Sequence, residues 1–280
     1  PLALDALIKA YRELKSPRAD LMILFEEVRE AIRDSRPKPI PLIRLLRLFE
    51  REFQPYAGDG DFEEQRAMAI RLLEDKKALY LQKRDLVTFQ GLKHLEDGDS
   101  IIVHSAGFVV TNILIEASKQ RDPNFMVFVL KLDPVRTPQV AGALEKAGIP
   151  NIIVPVHDLC HYQGQANKIF VGALTITPDR KVVAPVGTAN VLSICHLVGV
   201  KSYLFANTLH YSLGIARTQQ IDRTDHELED PTTSFSVTSH SHDLVDLHLI
   251  DTIVNEYGVV PRDVVGPDGH RILDPHPMTD

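Results

Sequence analysis

Five apolar runs in this chain, at 100–104, 124–132, 151–156, 168–173 and 203–206, end on residues that can do chemistry. They close on His104-Ser105, Leu132-Asp133, His157-Asp158, Gly172-Ala173 and Asn207. An imidazole, a carboxylate and a thiol brought together can donate and accept protons at neighbouring carbons. His104, Asp158 and Cys160, with His157 and His161 beside them, are the candidates for such a set. The plainer reading is that His157 and His161 pack at a helix start and Cys160 is a small buried hydrophobe. Arg136, Lys168 and Asn207 carry donors suited to a phosphate or a hydroxyl group.

Gly187-Thr188 precedes a segment with helical apolar spacing. The first turn of a helix has unsatisfied N–H groups and a positive dipole end, so this step can hold an anion. Equally, Gly187 can serve a tight turn and Thr188 can cap the helix. Cys195-His196 lies within that helix, where adjacent side chains point apart, so the pair is no nucleophile and base. His240, His242 and Asp243 could ligate a metal, but spacing places no further ligands. A solvated loop without metal is the expectation there.

The elements that must position these groups fall into two textures. Residues 1–97 are helical and highly charged, and residues 98–280 alternate strand and helix before a proline-bearing tail after Gly266. In the first part, Leu21, Leu24, Phe25, Val28 and Ile32 share one helical face, Pro37 to Pro39 interrupts, and Leu42, Leu45, Leu46, Phe49 and Phe53 form a second stripe. Residues 62–95 suit one long helix. In the second part the runs read as parallel strands, with crossover helices at 109–119, 139–147 and 189–199. The pattern predicts an α/β protein: a helical N-terminal domain followed by a Rossmann-like parallel-sheet domain. No glycine-rich dinucleotide fingerprint follows the first strand, so no nicotinamide cofactor, and no other cofactor, is expected. Residues 207–243 read as a long polar connection and 244–257 as a final helix.

The chain of 280 residues carries 31 Lys and Arg against 38 Asp and Glu, a net charge of −7. That balance offers no basic face for direct nucleic-acid binding. No apolar run approaches a membrane span, and no secretory leader is visible. Two cysteines without a spaced framework suit a reducing, cytoplasmic setting.

The order strand, Gly172-Ala173, short excursion, Gly187-Thr188, alanine-bearing helix and strand resembles one superfamily. It joins the regulatory alpha, beta and delta subunits of translation initiation factor 2B to methylthioribose-1-phosphate isomerase and ribose-1,5-bisphosphate isomerase. The closing Gly258-Val259-Val260-Pro261 is similar to that family's exit. The resemblance implies a homodimer through the C-terminal domain and a pocket for a small phosphorylated ligand; the candidates to line it are His104, Ser105, Gly107, Asp133, Gly187 and Thr188, with Arg136, Lys168 and Asn207 added for their donors. It also implies departures. Ser105 stands where the isomerases carry a catalytic cysteine, and Leu174 where they carry an aspartate. Asp133 precedes Pro134 where relatives place a phosphate-facing arginine, and Ala184-Pro185 replaces an Asn-Lys pair. A serine hydroxyl is a weak acid or base and leucine is none. The expectation is a non-catalytic binding protein; the alternatives are an isomerase with a rebuilt site, or an interaction protein without ligand.

Overall fold

The computed structural model describes residues 2–13, 26–28, 30–32, 34–57, 61–104, 107–120, 124–131, 135–214, 216–219, 221–230 and 233–261, with the side chains of 218 and 226–235 excluded. Two compact units part between Lys83 and Arg84, inside one long helix. We retain the 97/98 boundary as a proposal for where the α/β domain begins, two residues before its first strand.

The first unit contains α1 (Leu2–Glu13), α2 (Ile40–Phe53) and the greater part of α3 (Phe62–Leu92). The α2 stripe behaves as its spacing predicts: Leu45, Leu46, Phe49 and Phe53 are buried, and the Phe49 and Phe53 rings stack at 5.4 Å. Leu4, Leu7, Ile8 and Tyr11 bury one face of α1, and Ala69 and Leu73 bury one face of α3. Charges pair between the helices, Lys77 with Asp5 and the buried Lys76 with Glu52. Of the earlier apolar stripe, Leu21, Leu24 and Phe25 lie outside the described residues.

The second unit is built on a seven-stranded sheet in the order β12-β11-β7-β4-β1-β2-β3. Its strands are β1 (Ser100–Val103), β2 (Met126–Lys131), β3 (Asn151–Pro155), β4 (Lys168–Gly172), β7 (Lys201–Phe205), β11 (Thr252–Asn255) and β12 (Gly258–Val260). All pairings are parallel except β11 with β12. Interior strands of a sheet covered on both faces bury alternate residues on opposite sides, and the two cores show this directly. Ile101, Val103, Val127, Val129 and Phe170 pack under α4 (Phe108–Gln120), α5 (Arg136–Lys146) and the end of α3. Ile102, Phe128, Leu130, Ile169 and Val171 pack with α6 (Thr188–Val198) on the other face. The chain therefore leaves β1 in one direction through β2 and β3, and crosses to the other side at β4. Between β1 and β4 lies the switch point, outside whose carboxyl ends doubly wound folds bind ligands.

The excursion between β4 and α6 forms β5 (Thr175–Ile176) and β6 (Lys181–Pro185), joined by a turn with Arg180 at φ 61°. β10 (His242–Asp246) completes their antiparallel sheet by pairing with β6. Here two expectations are corrected. Residues 244–257 form no helix: they run from β10 through a helical turn at Leu247–Leu249 into β11. Val245 is the buried residue of β10, and Ile253 and Val254 are both buried because β11 is an interior strand. Residues 207–243 form no open loop either. They contain helical turns at Thr208–His210 and Ala216–Gln219, then the hairpin of β8 (Arg223–Asp230) with β9 (Thr233–His240). The charged β8 and the threonine- and serine-rich β9 lack the apolar alternation by which a strand is read. Among the described residues no helix is long and apolar enough to cross a membrane.

Candidate functional site

His104 follows directly on β1, at the switch point. Register fixes it there: Val103 pairs with Val129 of β2 on one side and Phe170 of β4 on the other. The side chain is fully buried, and neither ring nitrogen has a hydrogen-bond partner. Burial drives its pKa down to about 4, against weaker opposing influences of the Val186 carbonyl and the Asp243 carboxylate. The Val186 carbonyl thus lies near the ring, yet not in the geometry of a hydrogen bond. At neutral pH the imidazole is uncharged, with one unmade donor and one unmade acceptor.

Against this ring stands Gly187. A Cβ built there would lie 3.6 Å from His104 Cε1 and Nε2, and Gly187 has φ 88°, a conformation side chains resist. It is the N-cap residue of α6 and makes no side-chain cap. Thr188 does not cap either: its hydroxyl donates to the Pro185 carbonyl. The cap comes from another element, as Ala189 N–H donates to Asp243 Oδ2 at 2.9 Å. Next to Asp243, His242 has a buried Nδ1 without a partner. Its pKa is lowered by burial and by the Arg136 guanidinium, with Asp222 and Asp243 opposing.

Arg136 also lines a cavity of about 530 Å³ between the first turns of α4 and α5, over the carboxyl ends of β1 and β2. Gly107, Thr111, Asn112, Thr137 and Gln139 share its wall, with Val103, Val129 and Leu130 as floor. That volume and that mixture of apolar wall and few polar groups suit a small molecule.

Asn207 stands at the carboxyl end of β7 in a buried polar cluster. Its Oδ1 accepts the Leu209 N–H at 3.1 Å and meets His210 Nδ1 at 2.8 Å, while its Nδ2 has no partner. Glu256 accepts the Thr208 N–H at 2.9 Å and its hydroxyl as well.

The candidates therefore divide. His104, Gly187 and Thr188 meet at the switch point; Gly107 and Arg136 line the neighbouring cavity; Asn207 sits at the end of β7. Ser105 and Asp133 lie outside the described residues. Lys168 belongs to the opposite, amino end of β4. There its Nζ meets Asp99 Oδ2 at 2.8 Å, the His94 carbonyl at 3.0 Å and Glu96 at 3.3 Å, and Asn167 holds the other Asp99 oxygen. Asp158 and Cys160 follow β3 in the turn Val156–His161, with Asp158 loosely facing the exposed His157 at 3.8 Å. β3 is the edge strand, two strand spacings or about 10 Å from β1. Cys160 is exposed, not buried as the plain reading had it. Leu174, half-buried, donates its N–H to the Val183 carbonyl at 2.9 Å. Asp243 as the cap of α6 and Glu256 as the anchor of Thr208 carry no local signal, since their partners are 54 and 48 residues away.

Comparison with known proteins decides the lineage. Residues 2–262 match the description "Initiation factor 2 subunit family". The chain belongs to this family. A "Putative translation initiation factor eIF-2B subunit 2-like" protein of Pyrococcus abyssi is 27% identical over 241 residues, covering 85% of this chain and 82% of its own. The "Ribose 1,5-bisphosphate isomerase" of Pyrococcus furiosus is 26% identical over 254 residues, covering 85% and 78%. The fold matches the crystal structure of translation initiation factor eIF-2B from Pyrococcus horikoshii with a TM-score of 0.74 at 21% identity, over 94% of this chain and 90% of that one. The family thus includes proteins named for initiation and proteins named for sugar-phosphate isomerisation, and this chain is initiation factor 2B subunit-like in sequence and fold.

Proposed function

We propose that this chain is a non-catalytic member of the family that acts by binding. In this reading a small phosphorylated molecule, a sugar phosphate or a nucleotide, enters at the carboxyl ends of β1 and β4 and the adjoining cavity, and bound ligand governs protein contacts. One observation carries it. Leu174 occupies the position at which the resemblance places the isomerases' carboxylate; it is apolar, and its N–H is engaged by Val183. Without a carboxylate there, the proton transfer between adjacent carbons has lost one of its two groups.

We further propose a homodimer in the cytoplasm. Ile194, Leu197 and Val198 are exposed on the outer face of α6, Leu197 by 84%, a patch suited to covering by a second copy. The isomerase reading draws on one specific observation, the buried His104 ring without partners, and on the isomerase relative.

Thermal-shift titration with ribose 1,5-bisphosphate, methylthioribose 1-phosphate, AMP and GMP, followed by product analysis, tests the proposal. Binding to the folded state raises the melting temperature with ligand concentration. Stabilisation without turnover is expected; conversion of either sugar phosphate by the wild-type chain would remove the reading.

A further inference from the structure

The N-terminal end of α6 is where a doubly wound fold offers its best anion site, and in this chain the anion is already present. Asp243 Oδ2 accepts the Ala189 N–H at 2.9 Å. The carboxylate is held in place from behind, because β10 pairs with β6 through His242 opposite Pro185 and Asp243 opposite Ala184. Thr188 has no hydroxyl proton to offer an anion, since it donates that proton to the Pro185 carbonyl. A phosphate brought to the same helix end would meet a fixed like charge a few ångströms away, and the two would repel.

The same end still shows the mark of a ligand. His104 is fully buried, its ring lies against Gly187, and both nitrogens lack partners. A buried imidazole with an unmade donor and an unmade acceptor is completed by a group that can both accept and donate without charge, as a hydroxyl does.

We infer that Asp243 holds the place of a ligand anion at α6, so that the part of a ligand reaching His104 and Gly187 is an uncharged hydrogen-bonding group such as a sugar hydroxyl. The phosphate of any ligand then lies away from α6, on the side of Arg136. This inference rests on the switch point being the ligand site.

The test is a titration of the full-length, isotope-labelled chain with inorganic phosphate, read at the amide signals of Gly187, Thr188 and Ala189. In the wild type these signals stay unmoved. Asp243→Asn removes the charge and keeps an oxygen for Ala189, and Asp243→Ser does the same with a shorter side chain. In both variants the three amides respond, with phosphate bound about tenfold or more tightly than in the wild type. Saturable movement of these amides by phosphate in the wild type overturns the inference, as does the absence of any gain in both variants while their other signals remain native. Turnover of a sugar phosphate would instead sink the non-catalytic reading and leave this result standing.

Discussion

Lys168 Nζ lies 2.8 Å from Asp99 Oδ2, with the two side chains only 10% and 2% exposed. Burial favours the neutral amine, but the hydrogen bonds and charges of Asp99 and Glu96 outweigh it and raise the lysine's pKa. Lys168→Met leaves the Asp99 carboxylate buried without its cation, and chemical denaturation should show a loss of about 3–5 kcal/mol. Joint replacement of both residues by apolar side chains should cost less. The raised lysine stabilises fully below its ordinary pKa of 10.5 and loses that contribution as pH rises through the folded value. Ligand affinity should not change, because this pair closes the amino end of the sheet.

His104 gives the opposite end of the sheet its own pH dependence. The folded ring titrates at about 4 against an ordinary value of 6.5, so the unfolded chain binds more protons between those values. Stability therefore falls as pH drops from about 6.5 towards 4, by up to about 3 kcal/mol. Denaturation midpoints measured across this window should show that slope, and His104→Gln should flatten it. An equal slope in the variant would place the titrating group elsewhere.

At Gly187 the constraint is the backbone. Its φ of 88° disfavours any side chain, whereas the contact of an added methyl group with His104 at 3.6 Å is ordinary. Gly187→Ala should cost about 1–2 kcal/mol in thermal or denaturant unfolding, from conformation and not from a clash.

The two thiols should differ sharply. Cys195 is buried within α6 with its pKa pushed up to about 12 by burial, while Cys160 is exposed. A disulfide-exchange reagent should titrate one thiol in the native chain, Cys160, and the second only on unfolding. Mass spectrometry of the labelled chain identifies which.

How much of this the sequence disclosed depended on whether the cause was local. The α2 stripe from Leu45 to Phe53, the apolar run of β4 and the helix read at 189–199 were legible because period and composition act within one element. β11 was mistaken for helix because an interior strand buries consecutive residues and so loses its period of two. The β8–β9 hairpin was hidden by its polar sequence. At the site, His104 and Gly187 were legible as the ends of a strand and the start of a helix. Thr188 looked like the cap, yet the donor's partner proved to be Asp243, delivered by β10 from 54 residues away. Lys168 looked like a ligand contact because its ammonium suits a phosphate, but it opens β4 and does not close it. No local pattern states which end of a parallel strand a charge will serve when its partner, Asp99, lies 69 residues upstream.

The central claim is that catalysis is absent while binding remains, and one measurement addresses it most directly. The full chain, at a concentration comparable to the substrate, is incubated with ribose 1,5-bisphosphate and followed by phosphorus NMR. The account predicts that the sugar-phosphate resonances broaden or shift on binding and that no ketose product accumulates, even over many hours. Accumulation of ribulose 1,5-bisphosphate at a rate proportional to protein, abolished by Ser105→Ala, would contradict it.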